Sequence, residues 1–83
     1  MTTAEILDAI EELAKEHVGF KGSLDPELSL VEDLELDSLK ALTLAVEVEN
    51  RFRIRLTPEI EAGITTVGDL VDAVADQLVG DNG

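Results

Sequence analysis

Residues 31–52 read VEDLELDSLKALTLAVEVENRF, and the helix that this stretch encodes organises the rest of the chain. Asp37 is a preferred N-cap residue, and apolar residues follow it at helical intervals, which predicts a helix over residues 38–52. An advance of about 100° per residue places the apolar side chains of this helix in two separate stripes. The inner stripe contains Leu44, Val48 and Phe52, joined by Ala41 and Ala45, and the outer stripe contains Leu39, Leu42 and Val46.

The two stripes allow two interpretations. In the first, both are buried, because a central helix of a bundle is covered on two sides. In the second, the outer stripe stays partly exposed and forms a docking patch, since exposed apolar clusters tend to mark interaction sites. The outer stripe begins directly beside Ser38, and this position favours the second interpretation.

Three more helices are predicted, and no segment has the pattern of a β-strand. Thr57, Pro58 and Gly63 mark the cap, the first residue and the end of a short third helix, and Gly80 is expected to end the last one. The four predicted helices span residues 3–17, 38–52, 58–62 and 66–79. We therefore expect an all-α fold, a four-helix bundle with a long first loop and a short third helix, as one domain over residues 1–83.

The connection over residues 18–36 is long for a compact domain, and long loops of this kind are often functional. Gly19, Gly22 and the pair Asp25-Pro26 break regular structure. Apolar side chains are nevertheless spaced throughout the connection, and we expect them to cover the core: Phe20, Leu24, Leu28, Leu30, Leu34 and Leu36.

The net charge of the 83 residues is −13, which argues against binding to nucleic acid and to anionic membranes. The charge is uneven, with a net of −9 over residues 1–37, +2 over residues 38–56 and −6 over residues 57–83. The chain has no cysteine, no secretory signal pattern and no apolar run long enough for membrane insertion. We expect a monomer in the cytoplasm whose partners present basic patches.

Ser38 has no obvious catalytic partner in the sequence. A serine nucleophile needs a base and a group that orients that base, and the one histidine, His17, lies at the far end of the first helix. The sequence LDSLK also lacks the G-x-S-x-G pattern. We therefore expect that the chain is not an enzyme.

The acidic residues before Ser38 do not predict a metal site. Asp33, Glu35 and Asp37 alternate like the start of a calcium-binding loop. Such a loop needs glycine at its sixth position and glutamate at its twelfth, where this chain has Ser38 and Leu44. Taken alone, Ser38 remains either a helix-capping residue or a point of attachment.

The order and spacing of several motifs resemble the acyl carrier protein family, or more broadly the phosphopantetheine-binding carrier domains. The motifs are DLELDSL at 33–39, ENRF at 49–52, the apolar pair at 54 and 56, and ITTVGDLVDAV at 64–74. They cover nearly the whole chain. The resemblance implies the same four-helix layout that the helical patterns predict.

The resemblance also implies a role for Ser38. A separate phosphopantetheinyl transferase would attach 4'-phosphopantetheine from coenzyme A to the Ser38 oxygen, with Mg²⁺ supplied by that enzyme. The distal thiol of the arm would then carry an acyl group as a thioester in fatty acid, lipid or polyketide-type biosynthesis. The further partners implied are an acyl-loading ligase or transferase and ketosynthase-type or acyltransferase enzymes.

Residues around Ser38 acquire expected recognition roles in the same way. Asp37 matches an acid that caps the helix and helps the transferase to dock. The outer stripe matches the family's apolar recognition positions, Leu39, Leu42 and Val46. Glu49 matches an acidic position that pairs with basic partner surfaces, and Ile64 matches an apolar contact beside the arm.

The second helix departs from the strongly acidic pattern of carriers in fatty acid synthesis. Lys40 and Thr43 stand where acids are common, and Arg51, Arg53 and Arg55 follow. This departure predicts a specialised carrier that serves a dedicated ligase, polyketide-type or lipid-modifying pathway. The alternatives are a peptidyl or aminoacyl carrier, and a small acidic helical interaction module without a prosthetic group, in which Ser38 only caps its helix.

Overall fold

The computed structural model describes residues 2–81, and the side chains of residues 2–78. Its helices are α1 (Thr3–His17), α2 (Ser38–Phe52), α3 (Pro58–Ala62) and α4 (Val67–Asp81). Within the described range there is no β-strand, only an isolated antiparallel bridge between Ser29 and Thr66. The prediction of an all-α fold with four helices, a long first loop and a short third helix is confirmed.

The helix ends follow from local capping. Thr2 and Glu5 form a capping box at the start of α1, and Thr57 accepts a hydrogen bond from the Ile60 N–H at the start of α3, where Pro58 is the first residue. Helix α4 begins at Val67, one residue later than expected, and continues to Asp81 rather than ending before Gly80. That shift is within the usual uncertainty of helix ends, because terminal turns fray. The assignment of residues 1–83 to a single domain stays a prediction.

Helix α1 packs against both α2 and α4, and the core lies between these three long helices. The inner-stripe residues Leu44, Val48 and Phe52 are buried, as predicted. Ala41, which the helical wheel placed on the same stripe, is exposed instead, and Ala45 is half-buried. The largest fully buried side chains are Ile6, Ile10, Val48, Val67 and Val74.

The first loop covers one side of this core, as its apolar spacing predicted. Leu24, Leu34 and Leu36 are buried, and Phe20, Leu28 and Leu30 are partly buried against the core. None of the helices within the described residues is long and apolar enough to cross a membrane.

Backbone hydrogen bonds join this loop to the start of α4. The Leu30 N–H donates to the Thr65 carbonyl (3.1 Å), the Val67 N–H to the Leu28 carbonyl (2.9 Å), and the Gly68 N–H to the Pro26 carbonyl (2.8 Å). We call these three bonds the loop clamp. A Cβ atom at Gly68 would lie 3.0 Å from the Pro26 oxygen, so this close approach favours glycine.

Asp69 stabilises the same turn. Its carboxylate accepts hydrogen bonds from the N–H groups of Thr65 (3.0 Å) and Thr66 (3.1 Å), while the Thr66 hydroxyl accepts one from the Asp69 N–H. The backbone donors at Thr65 and Thr66 hold the pKa of the Asp69 carboxyl below its ordinary value.

The Asp69 contribution to stability should therefore depend on pH. Because the pKa is lowered in the folded state, the ionised carboxylate contributes stability that is fully present above the unfolded-state pKa, about 3.9. This stability is lost as the pH falls through the folded-state pKa. We expect the difference in the free energy of unfolding between the wild type and Asp69→Asn, measured by urea denaturation, to shrink below about pH 4. Asp72→Asn, at an exposed position on the same helix, is the matched control. If the difference in the free energy of unfolding between the wild type and Asp69→Asn stayed constant from neutral to acid pH, the ionised Asp69 carboxylate would not be the source of this stability.

The end of α2 carries backbone strain at a residue other than glycine. Arg53 closes the helix in the left-handed region, with φ 57° and ψ 48°, and its N–H donates to the Glu49 carbonyl. Residues with a Cβ atom pay about 1 kcal/mol or more in this region, whereas glycine does not.

Substitution of Arg53 by glycine should therefore stabilise the protein. We expect Arg53→Gly to raise the free energy of unfolding, as measured by chemical denaturation, by up to about 1 kcal/mol, because the strain relieved, about 1–2 kcal/mol, exceeds the entropy that glycine adds to the unfolded chain. Arg55→Gly is the control, because Arg55 is not among the residues with positive φ, and glycine there should lower stability through the entropy of the unfolded chain. Equal effects of the two substitutions would show that the left-handed backbone at Arg53 is not strained.

Candidate functional site

Ser38 is the first residue of α2, and the residue before it performs the capping. The Asp37 carboxylate accepts a hydrogen bond from the Lys40 N–H at 2.8 Å, and the Asp37 backbone is extended. Asp37 is therefore the N-cap, as predicted. Ser38 itself is exposed, and its hydroxyl makes no hydrogen bond with any residue that the structure describes. Helix capping therefore does not require a serine at position 38.

The one histidine of the chain lies apart from Ser38. His17 lies at the end of α1, where its Nε2 is 3.5 Å from a carboxylate oxygen of Glu47 and 3.8 Å from one of Glu16. No group of three or more potential metal ligands occurs within the described part of the chain. The surroundings of Ser38 therefore provide an accessible hydroxyl without an adjacent imidazole base.

An apolar cleft of about 400 Å³ opens beside Ser38. Its walls come from the first loop, from α2, and from the segment between α2 and the start of α4. Aliphatic side chains form most of the lining: Leu30, Val31, Leu36, Ala41, Leu42, Leu44, Ala45, Leu56, Ile64 and Leu70. Ser38 and Glu61 are the two polar residues that line it.

The small side chains of α2 explain why this space remains open. Ala41 and Ala45 face the cleft, and α3, the helix on that side, has only five residues. A short helix and two methyl groups leave a gap that larger side chains would fill. The helical spacing alone placed both alanines in the core. Spacing predicts the direction in which a side chain points from the helix, but it does not predict which other part of the protein packs against that side.

The outer stripe is exposed, which supports the second of the two interpretations of α2. Leu39 is 72% exposed, Leu42 61% and Val46 41%. Val31, 67% exposed, lines the cleft together with Leu42. Sequence reasoning did not single out Val31, because it lies in a loop where periodicity gives no face.

The structure gives Glu49 an internal partner. Its side chain is half-buried, and Oε2 accepts a hydrogen bond from the Leu56 N–H at 2.7 Å. This bond holds the segment after α2 against the helix. The expected pairing of Glu49 with basic partner surfaces stays a prediction. Ile64 lies in the cleft wall and packs against the core, and its expected contact with a prosthetic arm likewise stays a prediction.

The arrangement fits a prosthetic group attached through a phosphodiester to the Ser38 oxygen. The hydroxyl is accessible to an external enzyme, and it lies at a helix N-terminus, where the helix dipole favours negative charge. The cleft beside it offers apolar surface to a chain carried on such a group.

Comparison with known proteins agrees with this arrangement. The family model described as "Phosphopantetheine attachment site" matches residues 4–74. The chain is 39% identical over 72 residues to the meromycolate extension acyl carrier protein of Mycobacterium tuberculosis, with 86% of this chain and 63% of that protein covered. It therefore spans less than two thirds of the length of that relative. It is also 34% identical over 80 residues to the acyl carrier protein of Acidothermus cellulolyticus, with 95% of each protein covered.

A solved structure from Mycobacterium tuberculosis, described as an acyl carrier protein, superposes with a TM-score of 0.78 at 31% identity, covering 84% of this chain and 95% of the other. The match includes the helical layout, and the family model extends from α1 into α4. Together these similarities show that the chain belongs to the acyl carrier protein family, whose cofactor is covalently attached 4'-phosphopantetheine.

Proposed function

We propose that Ser38 is the attachment point of 4'-phosphopantetheine and that the chain carries acyl groups as thioesters on this arm. The observation that carries the proposal is the exposed Ser38 hydroxyl, which has no role in capping and lies at the edge of an apolar cleft. The arm supplies the distal thiol that holds the acyl group. In this proposal the chain is a non-catalytic carrier, and the enzymes that act on it supply the catalytic groups.

Each residue around Ser38 has a physical part in this proposal. Asp37 fixes the start of α2 and so holds Ser38 on the first turn, where a transferase reaches it. The aliphatic cleft shelters part of the acyl chain, since burial contributes about 0.8 kcal/mol per methylene. The outer stripe gives partner enzymes an apolar surface next to the attachment point.

The partners proposed are a phosphopantetheinyl transferase, an acyl-loading ligase or transferase, and ketosynthase-type or acyltransferase enzymes. All must reach one exposed site in turn, which suits docking surfaces of modest size and affinity. A monomer in the cytoplasm remains the expected form of the protein.

Loading of Ser38 is tested by intact-mass spectrometry after incubation with coenzyme A, Mg²⁺ and a broad-specificity phosphopantetheinyl transferase. We expect one added phosphopantetheine on the wild type and on Ser23→Ala, and none on Ser38→Ala. Because Asp37 is the cap, we also expect Ser38→Ala to change the free energy of unfolding by less than about 0.5 kcal/mol, whereas Asp37→Ala should cost about 1 kcal/mol.

Two outcomes would count against the proposal. A folded wild type that gains no mass with several transferases would favour the interaction module without a prosthetic group. Added mass on Ser38→Ala would place the attachment on a different residue.

We further propose that the carrier serves a dedicated lipid or polyketide-type pathway. A relative with 39% identity is named for meromycolate extension, and α2 carries Lys40 and Thr43 at exposed or half-buried positions. With two acids in fifteen residues, α2 offers few negative groups for a basic docking surface. A peptidyl or aminoacyl carrier remains the second candidate within the same family.

This pathway assignment predicts a difference in affinity. We expect the loaded protein to bind condensing or acyl-loading enzymes encoded beside its own gene at least about tenfold more tightly than a housekeeping ketosynthase, which is about 1.4 kcal/mol in binding free energy. Calorimetric titration of both enzymes with the same preparation measures this ratio. Equal or tighter binding by the housekeeping ketosynthase would contradict the assignment.

A further inference from the structure

The two acidic side chains of α2 already have partners within the protein. A Glu47 carboxylate oxygen lies 3.5 Å from Nε2 of His17, and Glu49 accepts the hydrogen bond from the Leu56 N–H. Both carboxylates therefore lie against groups of the protein itself, and both residues are half-buried. The exposed side of α2 that leads away from Ser38 accordingly carries no fully exposed acid.

The outer stripe continues beyond Val46 to a basic residue. Arg53 directly follows the last residue of α2, and at about 100° per residue its Cα falls between positions 42 and 46 around the helix axis. Arg53 is exposed, and Asn50, also exposed, lies between it and Val46 along the same side. The exposed side of α2 thus runs from Ser38 over three apolar side chains to the exposed Arg53 at the end of the helix.

Local structure does not explain the arginine at position 53. Its left-handed backbone is one that glycine adopts without strain, so a residue chosen for stability would be glycine. Within the described residues Arg53 forms no ion pair, whereas the neighbouring Arg51 lies 3.6 Å from a Glu12 carboxylate oxygen. Backbone strain at an exposed residue whose side chain forms no ion pair within the described residues points to a functional role.

The dimensions allow a single enzyme to contact both ends of this side. Fifteen helical residues span about 22 Å. A standard interface buries about 800 Å² on each partner, which corresponds to a patch about 30 Å across. An enzyme whose active site reaches Ser38 is therefore wide enough to cover Arg53 as well.

This inference rests on the proposed attachment at Ser38. We propose that the enzyme that modifies Ser38 docks along the outer stripe and presents an acidic side chain to Arg53. Guanidinium groups bind carboxylates with two parallel hydrogen bonds, which favours one docking register. The net charge of the chain is −13, but charges beyond about 8 Å are largely screened at physiological salt, so the distant acids do not cancel the attraction between Arg53 and an acid in contact with it.

The test compares loading rates of charge variants with the same broad-specificity phosphopantetheinyl transferase, coenzyme A and Mg²⁺. We expect Arg53→Glu to lower kcat/KM at least about tenfold and Arg53→Gly about threefold, mainly through KM. Arg53→Gly removes the guanidinium without backbone strain, so its loss of loading is not a consequence of misfolding. Arg55→Glu makes the same change in charge two residues away and should stay within about twofold of the wild type.

Salt separates a charge effect from a change in shape. The defect of Arg53→Glu should shrink as sodium chloride is raised, because screening weakens both the native attraction and the new repulsion. A wild type that loads while Arg53→Glu loads equally well or faster would overturn the docking inference alone. A wild type that does not load would overturn the proposed attachment and, with it, this inference.

Discussion

The loop clamp, formed by three backbone hydrogen bonds between the first loop and the start of α4, is the constraint on which the site depends. The first N–H groups of a helix have no partner within the helix, and at α4 two of them find carbonyl oxygens of the first loop. The clamp holds Leu30 and Val31 opposite α2 and beside Ile64, and these residues form walls of the cleft. Ordering a loop of this length costs conformational entropy, and the loop has no regular secondary structure whose hydrogen bonds would offset that cost without the clamp.

The cleft and the exposed side of α2 are two consequences of the same packing. The long helices α1, α2 and α4 bury Leu44, Val48 and Phe52, whereas the five-residue α3 is too short to cover the rest of α2. The uncovered part comprises the cleft, where Ala41 and Ala45 leave space, and the outer stripe, which faces outward. Ser38 lies where the cleft and the outer stripe meet. A group attached to Ser38 would therefore have the apolar cleft beside it for its cargo and the apolar outer stripe beside it for partner enzymes.

The features that the sequence could predict are those that depend on neighbouring residues. The helices, the N-cap at Asp37 and the separation of the two stripes follow from spacing and capping within a few residues. The surroundings of three other residues could not be predicted in this way, because they depend on distant parts of the chain. Ala41 is exposed because α3 is short, and Glu49 binds the Leu56 N–H where the chain returns to α2. Gly68 is in close contact with Pro26 of the first loop. The left-handed backbone at Arg53 was also hidden, since arginine gives no local signal for it. The attachment role of Ser38 came from motif order and resemblance, and the structure adds that its hydroxyl has no capping role.

Amide hydrogen exchange followed by NMR tests the loop clamp most directly. We expect the N–H groups of Val67 and Gly68 to exchange only through extensive unfolding, as slowly as those of buried residues in α1, because loop carbonyls hold them. The amide of Leu39 in the first turn of α2 should exchange much faster, since helix N-termini generally leave such groups to water. Equally fast exchange at Leu39, Val67 and Gly68, while the α1 core stays protected, would show that the first loop is not held against α4 and would contradict the account of the cleft.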